Sequence, residues 1–252
     1  NALEFFDETT IGWAVIESGF TPGVEFGFSE QNINTDQVSF IYLGNGEENM
    51  ARWSGAKSHL QVAVAANSTT VKVVAAAGFP SPTGTIVIAG VKNLYSSRTD
   101  KNFTLVGTAD VVAPAGSTVV AGLQTFSANP KGNFMLGSNN RLFVSGITSV
   151  LAAVYFSKYG DAANFVGASL VTDNTADSPG IFNLAEGGGR VIGMSADENA
   201  IYIVKGSIIY KAVLSDSLYT LTPLKPFDGK SQTTGGIAPS FAGENGVFFI
   251  TP

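Results

Sequence analysis

Short apolar runs, each bounded by Gly, Pro, Asn or Ser/Thr clusters, make up the hydrophobic pattern of this chain. Alternation at period two marks Val24–Phe28, and aromatic-bearing runs mark Val38–Leu43, Arg141–Gly146, Ala153–Lys158, Ala200–Gly206 and Ile208–Val213. Such runs between turn residues predict strands. Leu3–Asp7 and Trp13–Glu17 predict an N-terminal hairpin with a loop of about five residues. Met50–Trp53 returns after the Gly44-Asn-Gly46 turn, and Phe134–Leu136 leads into Asn139-Asn140 and the strand at Arg141. Further strands are expected at Ile181–Leu184, Val191–Met194, Tyr219–Thr222 and Gly246–Ile250. Gly206-Ser207 suits a two-residue hairpin of type II′. Helical periodicity is confined to two candidates, Ala109–Ala115 and Ala162–Leu170.

From Leu60 to Leu123 the composition shifts to Ala, Val, Thr and Gly. Strands are expected there at Leu60–Ala65, Thr70–Val74, Thr85–Ala89, Phe103–Val106 and Ser117–Ala121. Turn clusters such as Gly78-Phe-Pro-Ser-Pro-Thr-Gly84 separate them. That spacing suits a small antiparallel sandwich inserted into the surrounding architecture; the alternative is a continuation of the same sheet.

An internal repeat organises the rest. Phe40-Ile-Tyr-Leu-Gly44, Leu142-Phe-Val-Ser-Gly146, Ile201-Tyr-Ile-Val-Lys205 and Val247-Phe-Phe-Ile-Thr251 occupy equivalent places after polar turns. In the first three, a following strand carries an aromatic: Trp53, then Tyr155 and Phe156, then Tyr210. The last two copies lie about one propeller blade apart, at roughly 40–50 residues. Removing the inserted segment brings the first two near that period. The expectation is an all-β fold: a β-propeller of about four blades, or part of a larger one, with an inserted small β-sandwich. The boundaries are 1–59 and 124–252 for the blades and 60–123 for the insertion. N- and C-terminal strands could complete one sheet.

Charged residues are 13% of the chain, about half the usual ~25%, which fits a surface partly covered by neighbouring subunits or a neutral extracellular β domain. The net charge of −6 and the absence of any basic run argue against nucleic-acid recognition. No Cys is present, so disulfides, thiolate metal sites and a Cys nucleophile are excluded. The longest apolar run, Val150–Phe156, is far shorter than the ~20 residues of a membrane helix. The chain opens at Asn1, not Met, which suggests removal of an N-terminal part or a fragment of a longer protein.

Candidate chemistry is sparse. His59 is the sole histidine, which leaves no multi-His metal site and argues against a His-based triad; a single His ligand stays open, and the residue reads as a loop or strand-edge histidine. Asp173, Asn174 and Asp177 could supply oxygen ligands to Ca²⁺, but their spacing does not match an EF-hand loop. Gly187-Gly-Gly189-Arg190 lacks the Lys-Ser/Thr of a phosphate loop. Glu47-Glu48, Asp161 and Asp197-Glu198 are the carboxylates available for glycoside hydrolysis, and all fall in turns. Trp13, Trp53 and strand tyrosines could stack on sugars, or pack between sheets. Asn67-Ser-Thr69 and Asn102-Phe-Thr104 match glycosylation sequons. No catalytic, cofactor or metal site is assigned.

The second half resembles β-propeller proteins of bacteriophage tails, in particular the nozzle-type tail tubular proteins of short-tailed phages. The residues that carry this are Asn140-Arg-Leu-Phe-Val144, Val154-Tyr-Phe-Ser-Lys-Tyr-Gly-Asp161 with Asn164-Phe165, and Ile201-Tyr-Ile-Val204 with Ile208-Ile-Tyr210. Tyr42-Leu-Gly-Asn-Gly46 with Arg52-Trp-Ser-Gly55 is similar to an earlier blade, and Val71–Gly90 resembles small β modules of phage structural proteins. The chain is shorter than a typical nozzle protein and lacks its flanking regions. The resemblance implies a non-enzymatic virion component that assembles with other tail proteins and with copies of itself in a ring. A carbohydrate- or receptor-binding module, at a tail tip or secreted, is the alternative, with a host surface glycan or receptor as partner.

Overall fold

A computed structural model describes residues 2–8, 12–31, 39–147, 149–170, 177–186, 189–198, 200–206, 208–215, 218–224, 240–243 and 246–249. The fold is all-β, with no helix among these residues. Both helical candidates are extended or turn segments instead. Ala109 and Ala113 are buried with their amides bonded across to Ser68 and Val64, so long-range pairing overrides local helix preference.

The N-terminal hairpin joins β1 (Ala2–Asp7) to β2 (Gly12–Ser18). Next come β3 (Gly27–Gln31), β4 (Phe40–Gly44) and β5 (Met50–Trp53). Six strands follow: β6 (Lys57–His59), β7 (Thr70–Lys72), β8 (Gly84–Ile88), β9 (Val91–Arg98), β10 (Asn102–Leu105) and β11 (Thr118–Ala121). They form one sheet in the order β6-β11-β8-β9-β10-β7. Then β12 (Gln124–Phe126) completes a four-stranded sheet of order β12-β5-β4-β3. A five-stranded sheet holds β13 (Phe134–Ser138), β14 (Arg141–Ser145), β15 (Ala153–Phe156), β16 (Ser169–Leu170) and β17 (Gly180–Asn183), in the order β13-β14-β15-β17-β16. The last four-stranded sheet is a meander of β18 (Val191–Ala196), β19 (Ala200–Lys205), β20 (Ile208–Ser215) and β21 (Leu218–Pro223), followed by the pair β22 (Ser240–Gly243) and β23 (Gly246–Phe249).

The chain divides into two compact units. One comprises Asn1–Gly23, Asp36–Ile41 and Ala51–Thr125; the other comprises Val24–Thr35, Tyr42–Met50 and Phe126–Pro252.

In the first unit, residues 57–121 do not build the two facing sheets of a sandwich. They form a single sheet that curls until its outer strands approach. Leu60 and Val73 bridge beyond β6 and β7, supported by Gln61 N–H to Lys72 O and Val74 N–H to His59 O, both at 2.9 Å. Curling lets one short sheet wrap its own core and removes exposed edges. The core holds Val71, Ile86, Ile88, Phe79, Tyr95 and Phe103, with the Phe103 ring 4.9 Å from Tyr95 and 5.1 Å from Phe79. The Tyr95 hydroxyl donates to Pro80 O at 2.6 Å, so its burial leaves no orphaned polar group. The two stems of this segment are tied together: Trp53 Nε1–H donates to Ala121 O at 2.8 Å and Ala121 N–H to Ala56 O at 2.8 Å. Arg52 lies over the Phe40 ring at 4.0 Å and donates to Gln124 at 2.7 Å.

In the second unit the core lies between two sheets. Phe143, Phe156 and Phe182 of one meet Tyr219, Ile201, Ile203 and Ala212 of the other. The four rings contact at 4.9–6.4 Å, edge-on or tilted except for a stacked Phe143–Phe182 pair, the geometry favoured by aromatic quadrupoles. First strands succeed one another side by side: β13 lies against both β3 and β18, and β18 against β22. Between β3 and β13 the approach is close. A Cβ on Gly27 would strike Asn133 O, and one on Gly137 would strike the Gln31 amide. Residues 27 and 31 thus face 133 and 137 in the same order, so these two strands run in the same direction without sharing a sheet.

Replacing Phe156, fully buried, with Ala removes a ring from this cluster. Urea denaturation is expected to show a loss of about 3–5 kcal/mol.

Candidate functional site

The loops of the second unit enclose a cleft of about 720 Å³. Four separate stretches form it: Gly46 in the β4–β5 turn, residues 128–131 between β12 and β13, Ile147, Ser149, Val150 and Tyr155 around the β14–β15 connection, and residues 165–168. Each is held by its own local chemistry. Asn45 is buried and its side-chain oxygen accepts from the amides of Glu47 (3.1 Å) and Glu48 (3.0 Å), while its Nδ2 donates to the Glu48 carboxylate. That Asx arrangement fixes the turn carrying Gly46 at φ +86°. Asn129 is buried and donates to Ala163 O at 2.7 Å, tying the second stretch to the fourth. Asp161 accepts from Ala163 N and Asn164 from Val166 N, which sets the last stretch. Buried Ile147 and Phe165 and half-buried Tyr155 give the cleft an apolar floor. Lys131 stands at the Gly46 side, donating to Glu47 O at 3.1 Å.

The candidate carboxylates belong to separate turns. Glu47 and Glu48 belong to the Asn45 turn, and Asp161 caps its own loop. Asp197 accepts from Ala200 N at 2.7 Å and from the Tyr202 hydroxyl at 3.0 Å across the β18–β19 turn. Among the described residues no group of three His, Asp or Glu is placed to hold a metal ion. Asp173, Asn174, Gly187 and Gly188 lie outside the described residues; Asp177 is exposed. His59 sits on β6, opposite Thr118. Asn67 is in a tight turn at φ +67° and Asn102 is half-buried on β10. The two tryptophans part company: Trp53 packs on Phe5 and donates to backbone, whereas Trp13 is 69% exposed.

Two buried cations went unread in the sequence. Arg141, 2% exposed, reaches Ser157 O and, at 2.8 Å, Ser178 O, and lies 5.0 Å from the Phe156 ring centre. Burial lowers its pKa, opposed by the fields of Tyr219, Asp177 and Tyr159. Lys205, 4% exposed, donates to Leu184 O and, at 3.0 Å, to Glu186 O; burial lowers its pKa as well. The Tyr210 hydroxyl donates to Glu186 O at 2.7 Å and accepts from Glu186 N at 2.8 Å. Both cations therefore serve as hubs for loop carbonyls, a role in which charge-assisted bonds offset desolvation. No helix among the described residues is long and apolar enough to cross a membrane.

Comparison with protein-family models, with curated proteins and with solved structures returned no match.

Burial raises the Tyr219 phenol above its ordinary pKa of 10.0, partly offset by the Arg141 charge. The unfolded chain then releases this proton first as pH rises. The resulting stability is fully present below pH 10.0 and is lost as pH climbs through the folded-state value. Urea midpoints measured on either side of pH 10.0 are expected to fall more steeply for the native chain than for Tyr219→Phe.

Proposed function

We propose that the meandering sheets are blades of a β-propeller and that the chain is a non-enzymatic structural component of a bacteriophage tail, acting by protein–protein assembly. The observation that carries this reading is the succession of β3, β13, β18 and β22, each the first strand of its own sheet and each beside the next. One twisted sheet cannot cover both of its apolar faces, and radial stacking of sheets covers them with each other. The parallel run of β3 and β13, close enough that Gly27 has no room for a side chain, is what neighbouring inner strands of a propeller need. On this reading there are about four blades, or part of a larger ring, and the curled sheet of residues 57–121 is a module between β5 and β12.

The assignment to a tail rests on the resemblance at Asn140–Val144 and Val154–Phe165. The roles of these residues support it as a blade motif. Asn139 and Asn140, at φ +49° and +54°, make the tight β13–β14 turn, Arg141 ties strand ends together, and Phe165 is buried. Partners on this reading are other tail proteins and copies of the chain in a ring, and the location is the virion.

The second reading, a glycan- or receptor-binding module at a tail tip or in the extracellular space, is favoured by one feature. Trp13 and Phe6 form an edge-to-face pair at 5.5 Å on the open side of the β1–β2 hairpin. Sugars stack on such exposed rings.

The expected outcome is that the protein co-purifies with phage particles through a density gradient and that immunogold labelling marks the tail. Its absence from purified particles overturns the structural reading. Specific binding on a glycan array that Trp13→Ala abolishes would favour the second.

A further inference from the structure

From the cleft between the loops of the second unit we infer a docking site for an extended peptide segment of a partner protein, apolar along its length and carrying a carboxylate at one end. This rests on the assembly reading above and gives it a contact point. The volume, about 720 Å³, falls within the range of ~300–1,000 Å³ typical of ligand sites. The lining is polarised. Ile147, Tyr155 and Phe165 form the floor, and Val150 and Val166, 41% and 73% exposed, stand at the rim. Exposed aliphatic side chains beside a concave apolar floor gain from being covered. Lys131 is the sole charged side chain of the lining. Its ammonium spends one donor on Glu47 O and makes no ion pair among the described residues, which leaves two N–H groups for an incoming acid.

Charge complementarity therefore sets the acidic end of the occupant at Lys131. The exposed rim at Val150 and Val166 selects the class. An acyl chain or other small apolar molecule would need walls on nearly all sides, since such ligands bury about 70–90% of their surface. A peptide instead lays one face into a groove and keeps the other for its parent protein.

The test uses the full chain and two fluorescein-labelled, C-terminally amidated probes, Gly-Leu-Val-Phe-Asp and Gly-Leu-Val-Phe-Asn, followed by fluorescence anisotropy at low ionic strength. The Asp probe is expected to bind about fivefold more tightly than its Asn twin, the upper range for an exposed ion pair. Lys131→Met should erase that difference without affecting the Asn probe, and Val166→Asp should weaken both. Lys131 and Val166 are exposed, so thermal melts of both variants should match the native chain. Three results overturn the inference: no binding of either probe up to about 1 mM, a concentration equivalent to ~4 kcal/mol of affinity; an acid preference that survives Lys131→Met; or tighter binding of decanoate than of the peptide, which would make this an acyl-ligand site. Association with particles is measured separately, so a chain found in tails that ignores both probes loses this cleft and keeps its structural role.

Discussion

The packing of Phe143, Phe156 and Phe182 against Tyr219 is the interaction on which the second unit depends. The facing sides of the two sheets there are apolar and are covered only by each other. The four rings join the sheet of β13–β17 to that of β18–β21. Around this cluster the backbone has little latitude: Gly180 is tolerated only as glycine because the Phe156 ring occupies the space of its Cβ. The same ring receives the Arg141 guanidinium from above. One aromatic thus couples sheet packing to the arrangement of the loops, because Arg141 also grips carbonyls of residues 157 and 178.

Much of this was legible along the chain. The strands at Phe40–Gly44, Arg141–Ser145, Ala153–Phe156 and Ala200–Lys205 were readable because their apolar runs are bounded by Asn, Gly and Asp turns that the backbone uses as turns. The Asn139-Asn140 pair was equally readable, since asparagine accepts positive φ with little strain. Other elements were hidden. Strand β9 reads Val-Lys-Asn-Leu-Tyr-Ser-Ser-Arg, and its inward positions include Asn93 beside Tyr95, so polar content masked its alternation. The strand expected over Leu60–Ala65 is instead β6, ending at His59, with isolated bridges at Leu60 and Val64. Curvature breaks the ladder there, and curvature depends on partners distant in sequence.

The cleft was not legible at all. Its lining is drawn from four stretches that span residues 46 to 168, and motifs that mark Gly46, Tyr155 and Phe165 as blade positions do not say that these residues meet. Lys205 and Arg141 were unread for a related reason. A charged residue at a strand end is ordinarily placed in solvent, and only the fold supplies the carbonyls that make burial tolerable.

The stems of residues 57–121 have a separate consequence. Trp53 and Ala56 on one side and Ala121 on the other are hydrogen-bonded to each other where the segment leaves and rejoins, and β5 and β12 are neighbours in one sheet. The segment therefore leaves and returns at one point, as the arms of a hairpin do. Such a junction behaves as a socket. With its two stems already tied together, a change in the length of the segment adds little loop-closure cost at this point.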